Sequence, residues 1–189
     1  MIKKKKPVEN KQLTPREIIK KKRLEALNRA EVYYFIQRLV VFVLLLWVLF
    51  GVVFGVTPMP NQQMKPRIAP GDLLFYYRFE NRWHSGDVVV YEAEGETCIG
   101  RIVAMNHDSV EVTEQATLKI NNSIVVEPEI YYTTPRYGEM VEYPIDLHED
   151  EFFVLSDFRE GAKDSRYYGV ITRDMIKGKV ITCLRRSGI

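Results

Sequence analysis

Few side chains in this sequence are of types that do chemistry. There are 2 cysteines, Cys98 and Cys183, and 3 histidines, His84, His107 and His148. No two histidines have ligand spacing such as His-x-x-x-His, and two thiols cannot build a four-thiolate zinc site. No metal or other cofactor is expected. A thiol becomes a nucleophile when a base or a positive charge lowers its pKa, and the sequence sets no such group beside Cys98. The stretch Asn61-Gln62-Gln63-Met64-Lys65-Pro66 offers amides and one lysine. If it is extended, Lys65 shares the face of Gln63 and is the best-placed base, yet it has no hydroxyl to activate. Acids and arginines gather in Leu155-Ser156-Asp157-Phe158-Arg159, leading into Asp164-Ser165-Arg166-Tyr167-Tyr168-Gly169. Asp164 and Arg166 can pair there as a structural ion pair.

These residues must be carried by a chain of uneven charge. Residues 1–38 hold 12 Lys/Arg against 4 Asp/Glu, and the rest hold 15 against 21. A basic head on a mildly acidic body argues against nucleic acid as a partner of the folded part. The head carries a helix start, Thr14-Pro15-Arg16-Glu17, a capping box with proline at the first helical position. Ile18, Ile19, Leu24 and Leu27 then recur among lysines, as in a basic amphipathic helix lying on an anionic lipid surface. Leu39 to Val56 is 18 residues without a charge or a proline. At about 1.5 Å per residue this run nearly fills a bilayer core of about 30 Å. It reads as a transmembrane helix, with Gly51 and Gly55 as a possible dimer seat. The positive-inside rule keeps residues 1–38 in the cytoplasm and puts residues 57–189 outside.

Beyond residue 57 the apolar pattern shortens to period two. Leu73–Tyr77, Asp87–Tyr91, Ile99–Val103, Ser109–Thr113, Thr117–Ile120, Ser123–Val126 and Phe152–Leu155 read as strands. Asn121-Asn122 reads as a hairpin turn. Pro70-Gly71-Asp72 and Ser85-Gly86-Asp87 introduce strands through tight turns. Residues 127–150, rich in tyrosine, proline and acid, read as an irregular excursion. The expected fold is mainly β, a barrel-like or folded-sheet domain on one N-terminal membrane helix. A bridge between Cys98 and Cys183 is left open: an external compartment permits it, and the sequence does not place the two within reach.

The order of motifs resembles a type I signal peptidase of the Gram-positive kind. A membrane helix precedes Gln62-Gln63-Met64-Lys65-Pro66 and Pro70-Gly71-Asp72. Gly86-Asp87-Val88-Val89-Val90 and Cys98-Ile99-Gly100-Arg101-Ile102-Val103 follow, and the run from Leu155 to Val170 closes the series. The resemblance implies a serine at position 63, a lysine at position 100 and a supporting serine at position 162. The sequence has Gln63, Gly100 and Ala162 there. It keeps the frame: Pro66, Gly71, Asp72, Gly86, Asp87, Arg101, Asp157, Arg159, Asp164, Arg166 and Gly169.

From those substitutions the chain is expected to be no enzyme. An amide and a glycine supply neither nucleophile nor base, and removing such a unit typically costs about 10⁶ in kcat. The resemblance implies an extended peptide held along a groove, with Asn61, Gln63 and Met64 on one side and Cys98, Ile99 and Gly100 on the other. The floor beside Gly100 is expected to be wider than in the family or filled by Gln63. In its residues at 63, 100 and 162, its length and its topology, the chain resembles the signal-peptidase-like proteins of pilus loci in Gram-positive cocci. That implies an assembly factor at the cell membrane, with pilin subunits or a class C sortase as partner. The alternatives are a divergent signal peptidase using Cys98 and a signal-peptide-binding regulator.

Overall fold

The computed structural model describes residues 15–137 and 140–185. The chain falls into two units, 1–47 and 48–189.

The described residues of the first unit lie in one helix, α1 (Pro15–Val48), which runs one residue into the second unit and continues there as a π-helical turn, Leu49–Val53. Pro15 suits the first helical position because the missing N–H would have had no partner there. Glu17 places a negative charge at the positive end of the helix dipole. Thr14, the other half of the expected capping box, lies outside the described residues. The apolar half of α1 is exposed all round, with Leu45 at 63% and Trp47 at 67%. Among the described residues it is the one helix long and apolar enough to cross a membrane.

The second unit holds the strands β1 (Phe54–Pro58), β2 (Leu73–Tyr77), β3 (Val88–Ala93), β4 (Glu96–Met105), β5 (Ser109–Val112), β6 (Leu118–Ile120) and β7 (Ser123–Ile124). After them come β8 (Ile145–Asp146), β9 (Glu151–Leu155), the short helix α2 (Ser165–Tyr168), β10 (Ile171–Thr172) and β11 (Ile176–Leu184). One sheet has seven strands in the order β1-β2-β11-β3-β4-β9-β10, and a second has four in the order β7-β6-β5-β8. Every pairing is antiparallel.

The helical part of the apolar run ends at Val53, three residues before the expected boundary. Phe54–Val56 instead begin β1 and pair with Tyr77–Phe75 of β2. The cause is visible at Gly55, where an added Cβ would lie 2.1 Å from the Tyr76 ring. The absent side chain makes room for that ring, so Gly51 and Gly55 do not share a helix face and form no dimer seat.

Alternation located most of the remaining strands. Asn121 and Asn122 turn the β6–β7 hairpin at φ of 50° and 63°, values asparagine tolerates. Among the described residues, 127–137 and 140–150 are irregular apart from the two residues of β8. β11 escaped the periodicity reading because Lys177, Gly178 and Lys179 interrupt its apolar pattern. Gly178 is required by packing, since a Cβ there would lie 2.3 Å from the Tyr77 carbonyl oxygen.

Candidate peptide-binding groove

β4 changes partner along its length. Its first part pairs with β3, from Ala93 opposite Glu96 to Val88 opposite Arg101. Its second part, from Arg101 onward, pairs with β9. Among the described residues, the β9-side edge of Glu96–Gly100 therefore carries no ladder partner. A cavity of about 390 Å³ opens beside Glu96, Thr97 and Cys98, and it is also lined by Thr57, Pro58, Pro60, Asn61 and Gln63. Lys163 and Tyr168 complete the lining. An unpaired strand edge beside a cleft is the arrangement that accepts an extended peptide through main-chain hydrogen bonds.

The segment bearing Gln63 is not a strand. Residues 61–68 form consecutive turns, so the alternation argument that put Lys65 on the face of Gln63 fails. Lys65 Nζ donates to Gln62 Oε1 at 2.9 Å, and Lys65 does not line the cavity. Gln63 is held at both ends of its peptide unit: its N–H donates to Asn61 Oδ1 at 3.0 Å, and its carbonyl accepts from the Phe158 N–H at 2.8 Å. Using Oδ1 in this way leaves the Asn61 amide nitrogen as the donor toward a bound carbonyl.

Two expected groove residues belong to the core. Met64 and Ile99 are 0% and 1% exposed and pack with Leu74, Tyr76 and Val90. Alternation explains this: Cys98 and Gly100 share one face of β4, and Ile99 points to the other. Gly100 is buried, and a Cβ on it would meet Val154 Cγ1 at 2.5 Å and the Leu155 carbonyl oxygen at 3.2 Å. The space beside Gly100 is thus filled by Val154, with Tyr91 at 3.5 Å. It is neither widened nor filled by Gln63, as the sequence led one to expect. Ala162 is buried as well.

Cys98 lines the cavity while being 7% exposed. Burial pushes its thiol pKa up, and hydrogen bonds with Tyr168 and Tyr91 oppose this only in part. Burial also pushes both tyrosines up. At neutral pH the cluster is therefore uncharged, a thiol among phenol donors. Lys163, whose ammonium stands 4.9 Å from the centre of the Tyr167 ring, and Tyr168 were missed in the sequence. Their signal was their place in the charged run, Lys163 directly before Asp164 and Tyr168 two residues after Arg166. Both cysteines are free. Cys183 Sγ lies 3.7 Å from Asp72 Oδ2, whereas Cys98 faces the tyrosines.

The frame around the groove is a set of buried ion pairs. Arg101 grips Asp157 with two bonds, Nε at 2.8 Å and an Nη at 2.6 Å, and donates to the Gly86 carbonyl at 2.8 Å. Asp164 caps α2 by accepting from the Arg166 N–H, accepts two bonds from the Arg166 guanidinium, and accepts from the Ser156 N–H. Arg159, fully buried, is held by Glu127 through two bonds of 2.8 Å and by Thr134 at 2.9 Å. The turns are equally specified. Gly71, Gly86 and Gly169 sit at φ of 86°, 96° and 78°, while Asp72 accepts from the Ala69 N–H and Asp87 from the His84 N–H. Pro66 lies exposed in the turn segment that ends the Gln63 wall.

Residues 32–184 match the model of a family described as signal peptidase, peptidase S26. The chain belongs to this family. Similar curated proteins include a probable signal peptidase I-2 of Synechocystis, 26% identical over 134 residues, covering 64% of this chain and 58% of that one. A signal peptidase I of Bacillus amyloliquefaciens is 26% identical over 62% of this chain and 69% of its own. One of Bacillus licheniformis is 24% identical over 80% and 87%. The chain thus spans less than two thirds of the Synechocystis protein. A crystal structure of a signal peptidase I from Enterococcus faecalis aligns at a TM-score of 0.41 and 22% identity, covering 54% of this chain and 98% of that one.

These relatives correct the expectation that the chain is no enzyme, since the proteins it matches are named as signal peptidases. The sequence reading had equated two absent side chains with absent chemistry. The groove also contains Thr57, Cys98, Lys163 and Tyr168, which that reading did not bring together.

Proposed function

We propose that this chain takes hold of an extended segment of an exported protein along the free edge of Glu96–Gly100, and that the exported protein is a pilin subunit bound for a class C sortase. The observation carrying the first part is the unpaired edge beside the 390 Å³ cavity. The pilin is favoured by the residues at 63, 100 and 162, in which the chain resembles the proteins of pilus loci. Helix α1 is the membrane anchor in this reading, with the basic residues 1–38 inside and the sheets outside. Deleting the gene and blotting for pilin tests it. Loss of the high-mass pilin ladder is the expected result. An unchanged ladder overturns the assembly role.

The relatives' names favour a second reading, a divergent signal peptidase that cleaves secreted pre-proteins. Cys98 is then the candidate nucleophile. Unprocessed pre-pilin accumulating on the same blot would select this reading. Because burial raises the thiol above its ordinary value of 9.0, cleavage through Cys98 should be slow at neutral pH and climb as the pH passes that value. A Cys98→Ala chain that cleaves at the native rate would remove Cys98 from the reaction.

A further inference from the structure

We propose that the groove selects a peptide carrying both signs of charge, with a basic side chain set against Glu96 and an acidic one against Lys163. The inference rests on reading the cleft as a peptide groove. Glu96 and Lys163 are the two charged residues that line the cavity; the rest are threonines, prolines, amides, Cys98 and Tyr168. Both are exposed. Among the described residues neither has an ion-pair partner, and they do not pair with each other. Glu92, earlier in the same hairpin, is instead taken by Lys177 at 2.6 Å.

Both charges stand on backbone that the core holds in place. Glu96 opens β4 opposite Ala93, and Glu94 and Gly95, at φ of 49° and 80°, turn the chain between the two strands. Lys163 lies between Ala162 and Asp164, which are 1% and 0% exposed, and its ammonium stands over the Tyr167 ring. Glu96 and Cys98 share a face of β4. A free strand edge by itself accepts a peptide in either direction. Opposite charges at fixed places remove that freedom, because complementary charges set register and reject the reversed chain. On an extended peptide, alternate side chains share a face about 7 Å apart. An acid and a base two or four residues apart can therefore meet Lys163 and Glu96 together.

The test uses the full-length chain in detergent micelles and threonine- and valine-rich peptides ending in a benzophenone. One peptide has aspartate before lysine, one has lysine before aspartate, and one has asparagine and glutamine in their places. Each is made with the pair two and four residues apart. The yield of photo-adduct is the readout. One charge order should give about threefold to tenfold more adduct than the reversed or the neutral peptide, the range two partly exposed ion pairs supply. A Glu96→Lys, Lys163→Glu chain should prefer the opposite order, and this reversal also shows that the doubly changed chain is folded. Equal adduct from all peptides would overturn the charge selection and leave the groove standing. A swapped chain that keeps the native preference would overturn it as well. No adduct from any peptide would overturn the groove itself and the selection with it.

Discussion

Val154 Cγ1 would lie 2.5 Å from a Cβ on residue 100, so any side chain there must displace the valine or bend β4. Gly100→Ala should cost about 1–3 kcal/mol, as overpacking of a filled site generally does, read by urea unfolding in detergent micelles. Gly100→Lys should cost more, and adding Val154→Ala should recover part of either loss. A Gly100→Lys chain of native stability would show that the space exists after all. At Cys98, alkylation should be slower than at an ordinary thiol at pH 8, because the raised pKa leaves less thiolate. Equal rates would contradict the buried setting. The identities at 63, 100 and 162 were legible through the resemblance, and so was the placement of Asn61, Gln63 and Cys98 at the groove. Ile99 was misassigned because alternation says which residues share a face and is silent on which face is the core; Met64 was placed by the resemblance and lies in a turn that buries it. Lys163 and Tyr168 stand in the charged run, but their meeting with Asn61, Gln63 and Cys98 joins segments distant in sequence and is a contact no local pattern reveals.

Buried charge fixes the elements around the groove. Asp164 caps α2, receives the Ser156 N–H and neutralises Arg166, which is itself 1% exposed. Asp164→Ala should cost about 3–5 kcal/mol, since it leaves an uncompensated buried guanidinium. A double change with Arg166→Met should recover much of that, and strict additivity in the unfolding free energies would contradict the pairing. The irregular 127–137 segment is held by Glu127 and Thr134 on Arg159, by the Pro135 carbonyl on Arg166, and by the Tyr137 hydroxyl donating to the Arg159 carbonyl. Glu127→Gln should loosen it and speed limited proteolysis there while leaving the two sheets intact. The ion pair of Asp164 with Arg166 was legible from their spacing. The partners of Arg159 lie 25 and 32 residues away and were not. Similarly, β2–β7 and β9 announce themselves by alternation. β1 hides inside the apolar run, and β11 inside a lysine pattern set by close contact with β2.

At the scale of the whole molecule, one buried tyrosine and two half-buried ones link stability to alkaline pH. Burial raises the phenols of Tyr91, Tyr143 and Tyr168, Tyr143 to about 12 from an ordinary value of 10.0. The folded chain therefore holds these protons more tightly than the unfolded one. The stability so contributed is complete below pH 10 and is lost as the pH climbs toward 12. Unfolding midpoints should fall over that window in the native chain, and fall less in Tyr143→Phe. The groove remains the feature on which function turns, and in-cell photo-crosslinking addresses it most directly. A photo-reactive residue replaces Thr97, exposed at the free edge of β4, or Glu114, exposed beyond β5, in the full-length chain in its own cell. The expected result is a pilin adduct from position 97 and none from position 114. No pilin adduct from position 97, or equal adducts from both, would contradict a groove that holds an exported pilin segment.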